Sequence, residues 1–209
     1  MKNNSVTIID YGVGNLLSVA RALEYCGAKV FISRKKKQII SSSKIILPGV
    51  GAFGEAVKKL KKYDLFNVIK EISNSGTSIL GICLGMQLLM DQSEEFGLNK
   101  GLSLIPGKVI SVPKLSKKKE LIKTPYIGWQ KVFFLKNFEF KLNHFNNRYY
   151  FLHSFMVQLK NNKNLSGYYS YKGNKITSLI KKDNVIGCQF HPERSGEDGL
   201  NFLKNFLKI

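Results

Sequence analysis

The chain has 209 residues, of which 44% are hydrophobic and 11% aromatic, an ordinary composition for one globular domain with a full core. Its three cysteines, Cys26, Cys83 and Cys188, are too few for a disulfide framework and lack the pairing of a metal site, which indicates a reducing compartment. The N-terminus does not resemble a signal peptide and no apolar run approaches the ~20 residues of a membrane span, so we expect a cytoplasmic protein without a membrane partner.

The net charge is strongly positive, at +19, because 33 lysines and arginines outnumber 14 acidic residues. The basic residues form short, scattered groups at 34–37, 58–62, 117–119 and 181–182, without interleaved aromatic residues. Surfaces that bind nucleic acids typically combine basic grooves with aromatic stacking platforms. We therefore interpret the charge as a solvated surface and expect no nucleic-acid partner.

Strands and helices alternate through the first half of the chain. Short apolar runs typical of buried parallel strands lie at 6–9, 29–32, 44–47 and 78–82. Amphipathic repeats that predict helices lie at 16–25, 53–62 and 65–74. This alternation predicts an α/β fold with a mainly parallel central sheet flanked by helices, and such sheets carry their functional residues at the carboxyl ends of the strands.

After Gly101 the pattern changes to short β-type runs separated by loops rich in Lys and Asn. These runs lie at 107–112, 131–135, 149–153, 156–159 and 176–180. They predict an added antiparallel sheet on the same domain, followed by a last core strand at 185–190 and a helix at 199–206. Because no linker or internal repeat marks a boundary, we predict a single domain over residues 1–209.

A cysteine flanked by glycines stands where the strand at 78–82 becomes a helix. The segment Gly81-Ile82-Cys83-Leu84-Gly85 has the form of a nucleophile elbow, in which small neighbours allow a strained turn to expose the central side chain. The start of a helix also lowers the pKa of a thiol and offers free N–H groups to an oxyanion. The alternative is a buried structural cysteine, and a nucleophile further requires a base within reach.

A second glycine loop, Pro48-Gly49-Val50-Gly51, follows the strand at 44–47 and lies at the same edge of the predicted sheet. Proline and glycine are the usual residues of a simple turn, which is one interpretation. The other is that a backbone N–H of this loop binds a developing oxyanion. The loop alone favours the simple turn.

The chain offers three histidines as candidate bases. His144 lies in a polar loop without an acidic neighbour, and His153 lies between apolar residues, where it either packs in the core or lines a site. His191 follows a buried strand, and Glu193 comes two residues later, where an extended chain places both side chains on one side. A carboxylate beside an imidazole fixes its tautomer and stabilises its charged form. Cys83, His191 and Glu193 are therefore predicted as nucleophile, base and orienting carboxylate.

Six segments carry a resemblance to a known family. Gly-x-Cys-x-Gly and a late His-Pro-Glu together form a specific signature, and the segments lie at 9–15, 47–53, 81–87, 101–107, 150–154 and 189–195. Over essentially its whole length the chain resembles the class I (triad) glutamine amidotransferases, which have a flavodoxin-like fold. Within that class it is most similar to the family of glutaminase subunits of imidazole glycerol phosphate synthases.

The resemblance implies that Cys83 attacks the side-chain amide of L-glutamine, that His191 carries the proton to the leaving ammonia, and that a glutamyl thioester is then hydrolysed. It implies an oxyanion hole formed by Leu84 with Gly49, Val50 and Gly51. It also implies a substrate site formed by Gln87 with His153, Ser154 and Phe155. It implies no cofactor and no metal. The ammonia would pass to a heterodimer partner, a (βα)8-barrel cyclase subunit, which forms imidazole glycerol phosphate and AICAR in histidine biosynthesis.

The family's docking positions match this chain less closely. They correspond to Asn15, Tyr126, Trp129, Tyr150 and Arg194. Tyr126 stands where the family has His, Gln130 where it has Asn, and Arg194 where it has Lys. These departures keep open a paralogous subunit that supplies ammonia for amidino-sugar formation in surface-polysaccharide biosynthesis. A stand-alone cysteine hydrolase and a catalytically silent binding subunit are alternatives of another class.

Overall fold

The computed structural model describes residues 5–116, 118–136, 138–140, 142 and 146–209. The first half alternates strands and helices, in the order β1 (Ser5–Ile9), α1 (Leu16–Tyr25), β2 (Lys29–Ser33), α2 (Lys36–Ile40), β3 (Lys44–Leu47), α3 (Phe53–Lys62), α4 (Leu65–Asn74), β4 (Ser78–Ile82) and α5 (Leu84–Leu88). The second half consists mainly of strands, in the order β5 (Gln92–Ser93), β6 (Asn99–Lys100), β7 (Gly107–Ser111), β8 (Tyr126–Lys131), β9 (Phe133–Phe134), β10 (Arg148–His153), β11 (Phe155–Leu159), β12 (Leu165–Tyr171), β13 (Asn174–Lys182), β14 (Val185–Cys188) and α6 (Gly196–Lys208).

An eight-stranded sheet with the order β2-β1-β3-β4-β14-β13-β12-β9 forms the centre of the described structure. Its first five strands are parallel, and the remaining pairs are antiparallel. Strands β4 and β14 are direct neighbours, with Ile82 opposite Cys188 in the register. The segments that follow these two strands therefore leave the sheet side by side at one edge.

Helices cover both faces of the parallel strands. One apolar cluster contains buried residues of α1 and α6 together with Ile46 and Leu80. The other contains buried residues of α3 and α4 together with Ile45 and Ile79. Successive strand residues thus enter opposite clusters, which explains why these strands are continuous apolar runs rather than alternating ones. In the part of the chain that the structure describes, no helix has the length and apolar character needed to cross a membrane.

The α/β class and the mainly parallel sheet flanked by helices are confirmed, but the antiparallel strands are distributed differently from the single added sheet that we predict. Strands β13, β12 and β9 extend the central sheet, β11-β7-β5-β6 form a second sheet, and β10 pairs with β8 in a two-stranded ribbon. Short alternating runs identify strands but carry no information on which strand pairs with which. The helix predicted at 199–206 is longer and spans Gly196–Lys208.

Candidate active site

Cys83 occupies a strained turn between β4 and α5, with φ 53° and ψ −109°. This backbone conformation is rare for a residue with a side chain and costs about 1–3 kcal/mol. The surrounding hydrogen bonds hold it, since the Cys83 N–H donates to the Cys188 carbonyl at 2.8 Å and the Cys83 carbonyl accepts from the Gln87 N–H at 3.2 Å. The strand-to-helix turn predicted from the sequence is present at this residue.

The flanking glycines allow the backbone to pass very close to its neighbours. A Cβ atom on Gly81 would lie 2.7 Å from the carbonyl carbon of Gly85. A Cβ atom on Gly85 would overlap the carbonyl oxygen of Leu47. Neither obstacle is a flexible side chain, so both positions require glycine, and this is the physical basis of the Gly-x-Cys-x-Gly spacing.

A cavity of about 340 Å³ lies over the turn. Both Cys83 and His191 line it, although they are far apart in the sequence, because β4 and β14 end side by side. The other lining residues are Val50, Gly51, Leu84, Gln87, Glu95, Phe96, Pro125, Leu152, His153, Ser154 and Phe155. The structure therefore brings the predicted nucleophile and the predicted base to one cavity.

The imidazole of His191 is buried and oriented by Glu193. Its Nδ1 lies 2.8 Å from Oε1 of Glu193, whose side chain is also buried, at 4% exposure. Because an ionised carboxylate only accepts hydrogen bonds, Nδ1 carries the proton and Nε2 of the neutral ring holds the lone pair. Nε2 is buried and has no hydrogen-bond partner among the described residues. Nε2 of the neutral ring is thus available to receive a proton from a neighbouring group.

Two opposing effects act on the pKa of His191. Burial lowers the pKa of an imidazole, because the charged form loses its hydration. The hydrogen bond to Glu193 and the negative charges of Glu193 and of an ionised Cys83 outweigh burial and raise the pKa of His191 above its ordinary value. The ring therefore holds a proton firmly once the thiol has released one, which is the property required of the base in a Cys–His pair.

His153 also lines the cavity, but its two ring nitrogens are already engaged. Nδ1 lies 2.8 Å from the Phe155 carbonyl and must donate to it, while Nε2 lies 2.9 Å from the Tyr169 hydroxyl and accepts from it. Burial lowers the pKa of His153 to about 4. The ring is therefore neutral at pH 7 and supports the turn between β10 and β11, whereas His144 lies outside the described residues.

The pH dependence of stability tests this environment of His153. The pKa of His153 is about 4 in the folded protein, against an ordinary value of 6.5. The unfolded chain therefore takes up a proton on His153 more readily, so the stability that the neutral ring provides is complete above pH 6.5 and is lost as the pH falls toward 4. We expect the wild type to lose about 3 kcal/mol of unfolding free energy more than His153→Gln over this range. Urea unfolding of both proteins measures the difference, and parallel pH curves would contradict it.

The glycine loop after β3 reaches the same cavity. The hydroxyl of Tyr11, which is fully buried, donates to the Pro48 carbonyl at 2.6 Å and anchors the start of the loop. Val50 and Gly51 line the cavity, and Gly51 has a φ of 94° that favours glycine. Gly49 packs behind them, with its Cβ position 3.0 Å from Cβ of Leu84. The loop and the start of α5 are thus adjacent, as an oxyanion hole requires.

Gln87 is buried on α5 and holds the turn formed by His153, Ser154 and Phe155. Its Nε2 donates to the Phe155 carbonyl at 3.1 Å and to Oε1 of Gln189 at 3.1 Å. Both N–H groups are used in this way, so Oε1 of Gln87 is the atom that remains for a ligand. The predicted substrate residues Gln87, His153, Ser154 and Phe155 all line the cavity.

Glu95 is a cavity residue for which the sequence carries no signal. Its Oε2 accepts from the Phe53 N–H at 2.6 Å, at the start of α3, and burial raises the pKa of its carboxyl group. It comes from the connection between β5 and β6, two strands too short to be recognised from sequence. Over residues 5–116, 118–136, 138–140, 142 and 146–209, no group of three His, Cys, Asp or Glu side chains could hold a metal ion.

Three of the five predicted docking residues form one cluster, made by two aromatic residues of the two-stranded ribbon and an arginine that follows β14. The rings of Trp129 and Tyr150 lie 6.1 Å apart, and the guanidinium of Arg194 lies 4.7 Å above the Tyr150 ring. Trp129 is 47% exposed, an unusual environment for a lone tryptophan. Asn15 is exposed at the start of α1, whereas the side chain of Tyr126, the first residue of β8, is buried, with its ring 4.5 Å from that of Tyr171.

Comparisons with known proteins agree with this geometry. Residues 7–209 match the family model for class-I glutamine amidotransferases. A Legionella pneumophila (strain Paris) protein named imidazole glycerol phosphate synthase subunit HisH 1 is 44% identical, over 99% of this chain and 100% of that protein. Subunit HisH of Sulfurimonas denitrificans is 41% identical over 97% of each chain, and that of Prochlorococcus marinus is 39% identical over 97% of each.

Solved structures share the fold at low sequence identity. A crystal structure of a glutamine amidotransferase has a TM-score of 0.72 at 14% identity, covering 98% of this chain and 99% of that one. PurLQS from Thermotoga maritima has a TM-score of 0.71 at 20% identity, covering 98% and 97%. The family match covers nearly the whole sequence, and the curated relatives are about two-fifths identical over almost their full lengths. The chain therefore belongs to the class I glutamine amidotransferase family.

Proposed function

We propose that this chain is the glutaminase subunit of an imidazole glycerol phosphate synthase and that it supplies ammonia from glutamine to a cyclase subunit. The observation that carries the catalytic part is the cavity shared by Cys83 and His191, with Nδ1 of the histidine bonded to Glu193 at 2.8 Å. The names of relatives at 39–44% identity support the biological part.

The first half of the reaction transfers the acyl group to sulfur. The thiol proton of Cys83 moves to Nε2 of His191, and the thiolate attacks the side-chain amide carbon of glutamine. The backbone N–H of Leu84 and an N–H of the loop at Gly49–Gly51 bind the resulting oxyanion. The imidazolium returns its proton to the amide nitrogen, the C–N bond breaks, and ammonia leaves a glutamyl thioester on Cys83.

The second half regenerates the free enzyme. A water molecule gives one proton to Nε2 of His191 and attacks the thioester carbon, and the same oxyanion contacts stabilise the second tetrahedral intermediate. The C–S bond then breaks, and the sulfur recovers a proton from the imidazolium. Glutamate is released, and neither half of the reaction consumes a cofactor.

The polar groups of the cavity match the ends of an amino acid. Glu95 contributes a carboxylate to the lining, which would attract the α-ammonium group of glutamine. Both N–H groups of the Gln87 side chain donate to protein groups. Its oxygen, Oε1, therefore remains available to accept a hydrogen bond from the same ammonium group. Ser154, in the turn between β10 and β11, also lines the cavity. These contacts would orient the side-chain amide toward Cys83.

The docking cluster of Trp129, Tyr150 and Arg194 is joined by hydrogen bonds of the Tyr150 backbone to the segment 191–195, which carries His191. The His191 N–H donates to the Tyr150 carbonyl at 2.9 Å, and the Tyr150 N–H donates to the Ser195 hydroxyl at 3.0 Å. Strand β10 thus connects the proposed partner surface with the base. A partner that shifts this strand would change the position of the imidazole, which offers a route for activation of glutamine hydrolysis on docking.

Tyr126 and Gln130, the two residues that differ from the family's His and Asn, are hydrogen-bonded to each other. Nε2 of Gln130 donates to the Tyr126 hydroxyl at 2.6 Å, and Tyr126 is only 8% exposed. Because the two side chains bond to each other and Tyr126 is buried, the Tyr126 ring contributes little to the exposed surface of the ribbon. These departures therefore do not favour the sugar-pathway paralogue over the histidine-pathway subunit, and the names of the relatives favour the latter.

Reconstitution with the cyclase subunit tests the function. We expect glutamine-dependent formation of imidazole glycerol phosphate by the mixture and slow glutamine hydrolysis by the isolated chain. Full hydrolysis without the partner would indicate a stand-alone hydrolase, and absence of hydrolysis in both cases would indicate a silent binding subunit. Product formation only with an amidino-sugar system would identify the paralogue.

Trp129→Ala tests the docking cluster within this system. A large, half-exposed aromatic ring at the centre of an interface typically contributes about 2 kcal/mol, so we expect a loss of roughly thirtyfold in affinity for the cyclase subunit. Calorimetric titration measures this loss. The matched control is Phe133→Ala, which removes a ring of similar exposure, 45% against 47%, from strand β9. Equal affinities for the two variants would refute the placement of the interface.

A further inference from the structure

A chain of buried amide groups ends on the sulfur of Cys83. The side chain of Gln189, just after β14, is fully buried and places Nε2 3.6 Å from Sγ of Cys83. Its Oε1 accepts from Nε2 of Gln87 at 3.1 Å, and Gln87 in turn donates to the Phe155 carbonyl at 3.1 Å. Gln189 is absent from the lining of the cavity, so its contact is with the nucleophile rather than with a substrate.

The direction of this chain follows from its far end. The Phe155 carbonyl can only accept, so the amide of Gln87 must present its NH2 group there. The second hydrogen of that NH2 group then points to Gln189, whose side-chain carbonyl oxygen must accept it. The NH2 group of Gln189 is therefore left facing Sγ, and the hydrogen bond to the sulfur is one that Gln189 donates.

The sulfur has a second polar neighbour of opposite character. The Leu152 carbonyl oxygen lies 3.8 Å from Sγ and can only accept a hydrogen bond, from the thiol form. The Gln189 amide can donate to either form and binds the thiolate more strongly, since hydrogen bonds to charged groups are the stronger ones. The Leu152 contact therefore favours the thiol form of Cys83, and the Gln189 contact favours the thiolate form.

We propose that Gln189 is a positioning residue that holds Sγ of Cys83 in the attacking orientation and favours its thiolate over its thiol. Gln87 and the Phe155 carbonyl fix the direction of its amide. This role rests on the proposed function, in which Cys83 is the nucleophile. A residue that only filled space behind the turn would influence the fold without changing the ionisation of the sulfur.

Two substitutions remove the donor in different ways. Gln189→Met keeps the length of the side chain but cannot donate at any pH. Gln189→Glu keeps the acceptor for Gln87 and places a carboxyl oxygen near the sulfur. Gln158→Glu, on the exposed side of β11, is the matched control for the second change. Circular dichroism and thermal unfolding establish that each variant is folded.

The test is the rate of alkylation of Cys83 by iodoacetamide as a function of pH, quantified by mass spectrometry of the peptide that carries it. We expect the midpoint of the Gln189→Met profile to rise by about one pH unit, with a further rise in Gln189→Glu where the carboxyl is ionised, and a wild-type midpoint in Gln158→Glu. The value of kcat for glutamine in the complex with the cyclase subunit should fall about tenfold, with KM nearly unchanged.

Wild-type midpoints in both folded Gln189 variants, beside an active wild type, would overturn this inference and leave the proposed function intact. A wild type whose Cys83 is not alkylated and which does not hydrolyse glutamine would overturn both. A fall in thermal stability with no shift of the midpoint would show that Gln189 serves packing alone.

Discussion

Replacing Cys83 with alanine is expected to abolish the use of glutamine by the synthase and to leave the use of free ammonia unchanged. In the proposed mechanism the sulfur is the atom that forms the thioester, and alanine offers no substitute. The strained turn should survive, because the backbone hydrogen bonds from Cys83 to Cys188 and from Gln87 to Cys83 do not involve the side chain. The measurement is product formation by the complex with glutamine and, separately, with an ammonium salt.

The matched control is Cys26→Ala, which removes a thiol from the end of α1, where it donates to the Leu200 carbonyl. This variant should use both nitrogen sources at the wild-type rate. Loss of the ammonia-dependent reaction in Cys83→Ala would mean that the chain does more than supply ammonia. Residual turnover of glutamine would mean that another group is the nucleophile.

Replacing His191 with alanine is expected to lower glutamine turnover by on the order of 10³-fold or more, the size of effect seen when a catalytic triad loses its base. The reason is that Nε2 of His191 is the only proton acceptor we assign to the thiol of Cys83. The variant should keep its affinity for glutamine, since we assign the substrate contacts to Glu95 and Gln87. Steady-state kinetics with the saturated complex separates the effect on kcat from the effect on KM.

Added imidazole provides a control for His191→Ala. The substitution leaves space beside a cavity of about 340 Å³, and a free imidazole that enters it should recover part of the lost rate. The same addition to Cys83→Ala should recover nothing. A near-wild-type rate in His191→Ala without imidazole would point to another base. His153 also lines the cavity and is a candidate, although both of its nitrogens are engaged.

The first half of the fold follows closely from its sequence pattern. Helices α1, α3 and α4 have the predicted bounds, because each buries one apolar stripe against a sheet covered on both faces. Helix α2 is not predicted, since of its five residues only Ile39 is buried. Strand β12 is not predicted either, because its buried positions include Ser166 and Gly167, which hide the apolar alternation.

The sequence identifies the predicted catalytic residues better than their surroundings. Cys83 is recognisable because the strained turn demands specific glycines, and His191 with Glu193 because the two are near neighbours in the chain. Glu95 and Gln189 reach the site only through tertiary structure, and ordinary polar residues carry no local signal of that arrangement. The hydrogen-bond direction at Gln189 depends on a carbonyl 34 residues away in the chain, at Phe155, so only coordinates can establish it.

The most direct test of the Cys83–His191 pair is a search for the acyl-enzyme. The complex is mixed with glutamine, quenched in acid within one turnover, digested, and analysed by mass spectrometry. We predict a glutamyl adduct on the peptide that contains Cys83, none on Cys26 or Cys188, and none in His191→Ala at the same time point. Hydrolysis of glutamine without an adduct at Cys83, or an adduct at another residue, would contradict the assignment.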